Sequence, residues 1–291
     1  MWAFLLQGDL AKMTAWCQAM FDMPSHSAVQ VVPLSSYLMM SVVDIGNGRF
    51  ADAPEMGWSR ERELTFWVPV VRLEDRDGIK VATHFNMAMP YLVLDNPVAI
   101  ASGREIFGYF KQAGQITCPG DPGNPAGISV DLFATKTFGA DSEEQYQRLL
   151  DLTPTASPPG RLDDAAQTFE GGARALWSRM TADAQQWYPS LALGEELLTD
   201  VLQRRIPQLF LKQFRDVGDG TRACYQAITQ ANGYVTRFDS MPQLTEFDMV
   251  LHHLDSSPVA ADFGIAPAQT LLGAEFVYDM TILPGTVLWQ A

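Results

Sequence analysis

Lysine is scarce in this chain, which has five in 291 residues, at positions 12, 80, 111, 136 and 212. Lysine and arginine together number 20 against 34 acids, a formal net charge of -14. That balance excludes the basic footprint needed for non-specific nucleic-acid binding. It also argues against docking on anionic lipid through a polybasic patch. No nucleic acid and no membrane is therefore expected as a partner. Cysteine is nearly missing as well: Cys17, Cys118 and Cys224 are odd in number, far apart and form no CxxC pair. Such a pattern fits a reducing compartment and supplies no zinc motif. No apolar run approaches the ~20 residues of a membrane helix. The start, MWAFLLQGDLAKM, has no basic n-region and is too short for a signal peptide. The expected localisation is cytoplasmic.

Several chemical signatures are absent too. There is no P-loop, no GxGxxG between strand and helix, and no GxSxG elbow. His252 and His253 are adjacent, so on a strand they would face opposite ways, and His26 and His84 stand alone. Neither a metal site nor a cofactor is expected.

What is present is a globular composition, 47% hydrophobic and 19% charged, with enough length to bury a sizeable core. Trp2 to Leu6 reads as a strand, followed by a helix that Asp9 caps, with Leu10, Met13, Cys17, Met20 and Phe21 on one face. Strands are expected between Val29 and Val43, over LTFWVPVV and KVATHFNMAMPYLVL on either side of the turn EDRDG, and over Ile128 to Phe138. Asn96-Pro97 is a helix start, with the helix running to about Tyr109 and Lys111 just past its end. Later strand patterns are LFLKQF, ACYQAITQA and YVTRF, then strand, turn, strand in YDMTILPGTVLW. Between about 141 and 202 the pattern turns helical, in QTFEGGARALWSRM and GEELLTDVLQRR. The expectation is one α+β domain over 1–291, a barrel or sandwich carrying a helical insertion at about 141–202.

The stretch DNPVAIASGREIFGYFKQAG, Asp95 to Gly114, places one of the few lysines after an apolar run, where an ammonium loses hydration. This stretch resembles the acetoacetate decarboxylase family. Gly103, Arg104 and Glu105 match the family's Gly-Arg-Glu, and Lys111 falls on its Schiff-base lysine. Glu63, six residues before Pro69-Val70, stands where the family has an active-site glutamate. LFLKQFRDVGDGTRACYQAI and YDMTILPGTVLW resemble two further family segments in the right order. The resemblance implies an antiparallel β-barrel or double-barrel core with flanking helices, an internal lysine and a homo-oligomer.

It also implies a cofactor-independent Schiff-base lyase acting on a small keto acid or related carbonyl compound. Lys111 and Glu63 are its expected catalytic residues, Gln112 and Phe110 its substrate-binding ones, and Arg104 and Glu105 structural neighbours. A lysine must lose its proton to attack a carbonyl, and at a reference pKa of about 10.4 few do so near neutrality. Burial or a neighbouring cation supplies the activation; the decarboxylase is itself a standard example. Phe107, Gly108, Tyr109 and Phe110 offer the desolvation. The chain departs from the family where its second lysine is Gln112, its proline Phe110, and one acid Leu38. No arginine precedes Arg49 to match the family's N-terminal one. Those losses weigh more against decarboxylation than against imine formation, and they favour aldol or dehydration chemistry. They also leave open a non-catalytic, small-molecule-binding descendant. Two blander alternatives stand beside these: Lys111 as a cation at a helix end, and Arg60 to Glu63 as a solvated charge ladder.

Overall fold

Alternating and β-branched segments make up most of the chain, and their pairing dominates the architecture. In a computed structural model, the residues described are 1–49, 55, 57–122, 127–155, 188–238 and 243–291. In chain order the elements are β1 (Trp2–Gln7), α1 (Leu10–Cys17), β2 (Gln30–Pro33), β3 (Tyr37–Gly48), β4 (Ser59–Arg76), β5 (Ile79–Leu94) and α2 (Pro97–Ile106). There follow β6 (Lys111–Thr117), β7 (Ile128–Ala134), β8 (Gln145–Pro154), β9 (Tyr188–Pro189), α3 (Leu191–Gln203), β10 (Arg205–Arg215) and β11 (Ala223–Phe238). The last are β12 (Gln243–Leu251), α4 (Val259–Phe263), β13 (Ala268–Glu275), β14 (Tyr278–Ile282) and β15 (Thr286–Gln290).

Local chemistry sets the element ends. Asp9 caps α1 by accepting from the Ala11 and Lys12 amides. β4 and β5 join through Asp77 and Gly78, both at positive φ, with Arg76 paired to Ile79. That two-residue turn matches the twist of the hairpin.

Pairing runs from β5 through β6, β7, β8, β12, β13, β1, β3 and β4, and returns to β5 because β4 and β5 also pair. The strands thus close a ring. β10 leaves this ring at β5 and carries β11, β14 and β15. β5 is long enough to pair parallel with β9, β10 and β6 at successive points. The sheet is therefore mixed, which corrects the expectation of a wholly antiparallel core. A parallel neighbour needs a crossover connection, and α2 supplies the one between β5 and β6.

Two apolar clusters follow from the two-residue period of the strands. Inside the ring lie Phe4, Leu38, Met40, Leu64, Phe66, Val93, Leu132 and Phe247. On the outer side of β4 and β5, facing β10 and β11, lie Trp67, Met89, Leu92, Leu94, Tyr109 and Phe210. Each large side chain so buried contributes about 1.5–3 kcal/mol.

The insertion expected over about 141–202 begins differently. β8 occupies its start and pairs with both β7 and β12, as part of the ring. QTFEGGARALWSRM lies outside the described residues. GEELLTDVLQRR is realised in α3, which Ser190 caps and Arg204, in the left-handed region at φ 53°, terminates. β11 also differs, running unbroken through Asn232-Gly233 because β10 pairs along both halves.

Candidate active site

Lys111 opens a strand instead of trailing a helix. α2 starts at Pro97, where the Asn96 side chain accepts from the Val98 and Ala99 amides, and ends at Ile106. The Gly103 carbonyl then accepts the amides of Phe107, Gly108 and Tyr109. Gly108 sits at φ 94°, and a Cβ there would lie 2.7 Å from the Cα of Lys212. Only glycine allows so abrupt an exit. It lays β6 beside β5, with Lys111 opposite Leu92.

Thr65 on β4 is also opposite Leu92, so Thr65, Leu92 and Lys111 form one row across three strands. Glu63, opposite Leu94, belongs to the next row, and Glu61 lies two residues further along β4. Alternation turns these side chains to the outer face of the ring. The Lys111 stem crosses Gly103 so closely that a Cβ there would stand 2.7 Å from its Cε and 2.9 Å from its Nζ. Its Nζ lies over the Tyr109 ring, 5.0 Å from the centroid. Tyr109 in turn packs on Phe210 at 4.2 Å and donates its hydroxyl proton to Gln208. The result is a half-buried lysine on an aromatic floor. Among the described residues, no hydrogen bond or ion pair holds the Lys111 nitrogen.

Its charge acts instead on two acids. Burial pushes the Glu63 carboxyl up to about 7, against the pull of Lys111 and with the help of Glu61. Glu63 keeps some exposed surface, and the burial of the rest is the largest cause of its raised value. Glu61 is raised by burial too, against Lys111 and with Asp95 adding. Its Oε2 is buried with no partner among the described residues, as is the Thr65 hydroxyl. Burial raises the hydroxyls of Tyr109 and Tyr278 well above their usual range, with Glu63 adding to both. Such a group can hold a positive nitrogen and exchange protons with what is attached to it.

The other face of the same segment is closed. Arg60 and Arg62 both bind Asp44, while Arg62 also binds Asp121 and donates to the Ile116 carbonyl. Arg62 holds the Asp121 carboxyl down at about 2.

Solved structures share this architecture over 99% of the chain. An acetoacetate decarboxylase from Legionella pneumophila aligns at a TM-score of 0.56 and 15% identity, over 84% of its own length. The chain has an acetoacetate decarboxylase-like fold. The enduracididine biosynthesis enzyme MppR, complexed with the condensation product of pyruvate and imidazole 4-carboxaldehyde, aligns at 0.52 and 14% identity, over 86% of its length. An acetoacetate decarboxylase-like enzyme from Sphingomonas wittichii RW1 aligns at 0.50 and 14%, over 89%. No protein-family model matches the chain, and no curated protein matches it by sequence.

Within this acetoacetate decarboxylase-like fold, Lys111 and Glu63 come together and the other expected site residues do not join them. Gln112, next along β6, faces the ring interior, where its Nε2 donates to Ser257. Phe110 is 48% exposed. Arg104 and Glu105 lie on the exposed side of α2, with Arg104 reaching the Lys111 carbonyl at 3.5 Å. His252 and His253 follow β12 and face Asp151 and Asp255 respectively. Leu38 is in the ring core. Glu61, Thr65 and Tyr278 are additions. Glu61 was visible as the strand neighbour two residues from Glu63; Tyr278 depends on the pairing of β14 with β11, which no local pattern signals. Among the described residues no group of three or more His, Cys, Asp or Glu could hold a metal ion. No helix among them is long and apolar enough to cross a membrane.

Proposed function

We propose that this protein is a cofactor-independent Schiff-base lyase in which Lys111 attacks a small keto acid or related carbonyl compound. One observation carries the reading: Lys111 is a half-buried residue whose nitrogen lies over Tyr109, unbonded among the described residues, and in the field of two enclosed acids. The amine nitrogen bonds to the carbonyl carbon, the oxygen leaves as water, and a protonated imine results. Starting from ammonium, no net proton is gained or lost. Glu63, poised at about 7, takes the proton that frees the amine and returns it to the departing hydroxyl. Once the imine has formed, the aromatic floor and both acids stabilise its positive charge, and the protonated imine is the electron sink for cleaving or forming a carbon–carbon bond. The departures at Gln112 and Leu38 favour aldol or dehydration chemistry over decarboxylation, and MppR, complexed with the condensation product of pyruvate and imidazole 4-carboxaldehyde, is a precedent for condensation in this fold.

The wider reading is a cytoplasmic homo-oligomer, with the ring and the β10–β11 layer as two barrel-like halves. Borohydride treatment with a panel of small ketones and keto acids should add ligand mass at Lys111, and Lys111→Ala should abolish it. Ligand binding that survives Lys111→Ala, with no trapped adduct in the parent, would favour the second reading, a non-catalytic carbonyl-binding protein. Gln112, turned to Ser257 where the family has its second lysine, is the observation that favours that alternative.

A further inference from the structure

Two of the five lysines in the chain pack against one turn. Lys111 lies along Gly103, where a Cβ would stand 2.7 Å from its Cε, and Lys212 lies against Gly108, where a Cβ would stand 2.7 Å from its Cα. The two glycines bracket the last turn of α2 and its exit. That turn is tied to the β10–β11 pair, because the Ile106 carbonyl accepts from the Lys212 ammonium at 3.2 Å and the Phe107 carbonyl from the Thr229 hydroxyl at 2.6 Å. A second route joins the same two lysines from beneath. The Lys111 nitrogen is 5.0 Å from the Tyr109 ring centre, Tyr109 packs on Phe210 at 4.2 Å, and Lys212 follows Phe210 on the same face of β10. Positions two apart on a strand are about 6.5–7 Å apart. Lys212 therefore stands at the edge of the aromatic floor on which Lys111 lies.

Lys212 is held there by neutral groups. Arg60 and Arg62 are bound to Asp44 and Asp121, whereas Lys212 meets the Ile106 carbonyl and, at 5.5 and 5.8 Å, the rings of Phe214 and Tyr225. No acid among the described residues pairs with it. A carboxylate is a stronger acceptor for an ammonium than a neutral carbonyl is, and the flexible four-carbon stem of a lysine lets its head exchange one for the other. Arg104 has no acid partner among the described residues either. It lies on the exposed side of α2 with its guanidinium 3.5 Å from the Lys111 carbonyl, where salt screens its charge.

We infer that Lys212 is a specificity-determining residue of the proposed site, receiving the carboxylate of a keto acid whose carbonyl carbon Lys111 attacks. This rests on the Schiff-base reading and assigns the far end of its substrate. Glu61 and Glu63 disfavour an anion beside Lys111, and an ammonium at the edge of the floor offsets them. Loss of one charge-assisted hydrogen bond of this kind weakens binding by about tenfold.

Pyruvate and pyruvamide, and levulinate and 4-oxopentanamide, are two pairs of methyl ketones that differ in the charge at the far end. Borohydride trapping at Lys111, read by peptide mass over a range of concentrations at high salt, gives a half-saturating concentration for each. Lys212→Gln should raise that concentration about tenfold for the better of the two acids and leave its amide little changed. Lys212→Arg, which keeps the charge, should restore the preference for the acid. Arg104→Gln removes a charge from the exposed side of the same helix and should leave the acid and its amide in the parent's ratio. An acid and an amide shifted alike by Lys212→Gln, an acid not shifted at all, or an acid-specific loss in Arg104→Gln overturns the inference and leaves the Schiff base standing. No adduct at Lys111 in the parent from any of the four compounds overturns both.

Discussion

Residues 60 to 63 present two faces that behave in opposite ways. Arg60 and Arg62 point to one side of β4 and find Asp44 and Asp121 at bonding distance. Glu61 and Glu63 point to the other and find a lysine that influences both and bonds neither among the described residues. The first face is the more exposed at Arg60, yet its charges are matched. The second is crowded, and its charges are not. Matched ions at a surface are worth little and hold shape; unmatched ions in a crowded place cost stability and mark chemistry. One strand therefore carries a fastening on one side and the proposed reactive groups on the other.

Breaking the reactive face should have the largest effect. Gly103→Ala puts a methyl group where the end of the Lys111 side chain lies. The lysine must swing aside, and a displacement of that size costs roughly 10²-fold in rate. Trapping at Lys111 should fall by that order with little change in thermal midpoint; an unchanged trapping rate would show that the stem does not need this track.

Glu63 sharpens the comparison through pH. Its folded value of about 7 exceeds the ordinary 4.5, so the folded state keeps the extra proton between those values. Stability from this group is therefore full below pH 4.5 and is lost as pH rises through 7. Glu63→Gln should match the parent in acid and exceed it above neutrality, by something on the order of 3 kcal/mol in urea melts. Asp121 on the matched face runs the other way: held at about 2, against 3.8 ordinarily, it contributes above the higher value and loses its contribution as pH falls to the lower. A Glu63→Gln protein with the parent's slope between pH 4.5 and 7 would place the titration elsewhere.

Arg62→Met breaks the matched face. Its side chain is 13% exposed and serves two acids and a carbonyl, so stability should drop by about 2 kcal/mol, less than for a fully buried pair. Trapping at Lys111 should hold. The smallest effect is expected of Gln112→Leu. One amide atom there is bonded to Ser257 and the other has no partner, so the two changes offset to within about 1 kcal/mol. Because Gln112 faces the ring interior, trapping should again hold; loss of trapping would bring that residue back to the site.

Much of this was readable from the chain. Alternation in LTFWVPVV and KVATHFNMAMPYLVL located β4 and β5, the Asp-Gly turn joined them, and Asn96-Pro97 started α2. The Gly-Arg-Glu and Lys111 spacing points to the candidate site from the sequence alone. What stayed hidden depended on distant partners. α2 stops at Ile106 and not near Tyr109, because Gly108 turns against Lys212, a residue of β10. Taking Lys111 as a helix-end residue removes the two-residue parity of a strand, so the sequence alone does not separate the faces of Lys111 and Gln112. Ring closure rests on β1 meeting β13 and β8 meeting β12, contacts between segments with no local sign of each other. β8 falls within the expected insertion because TPTASPPG, at its end, resembles a linker.

The proximity of Glu61, Glu63, Thr65, Gly103, Tyr109 and Lys111 along the chain has one further consequence. All six fall between the start of β4 and the end of β6, a hairpin, a helix and one more strand. Loop-closure entropy grows only slowly with separation, and neighbours of this kind meet early while remote strands still search. Lys111 and its acids thus belong to one short stretch of chain that needs neither β10 nor β14 to bring them together.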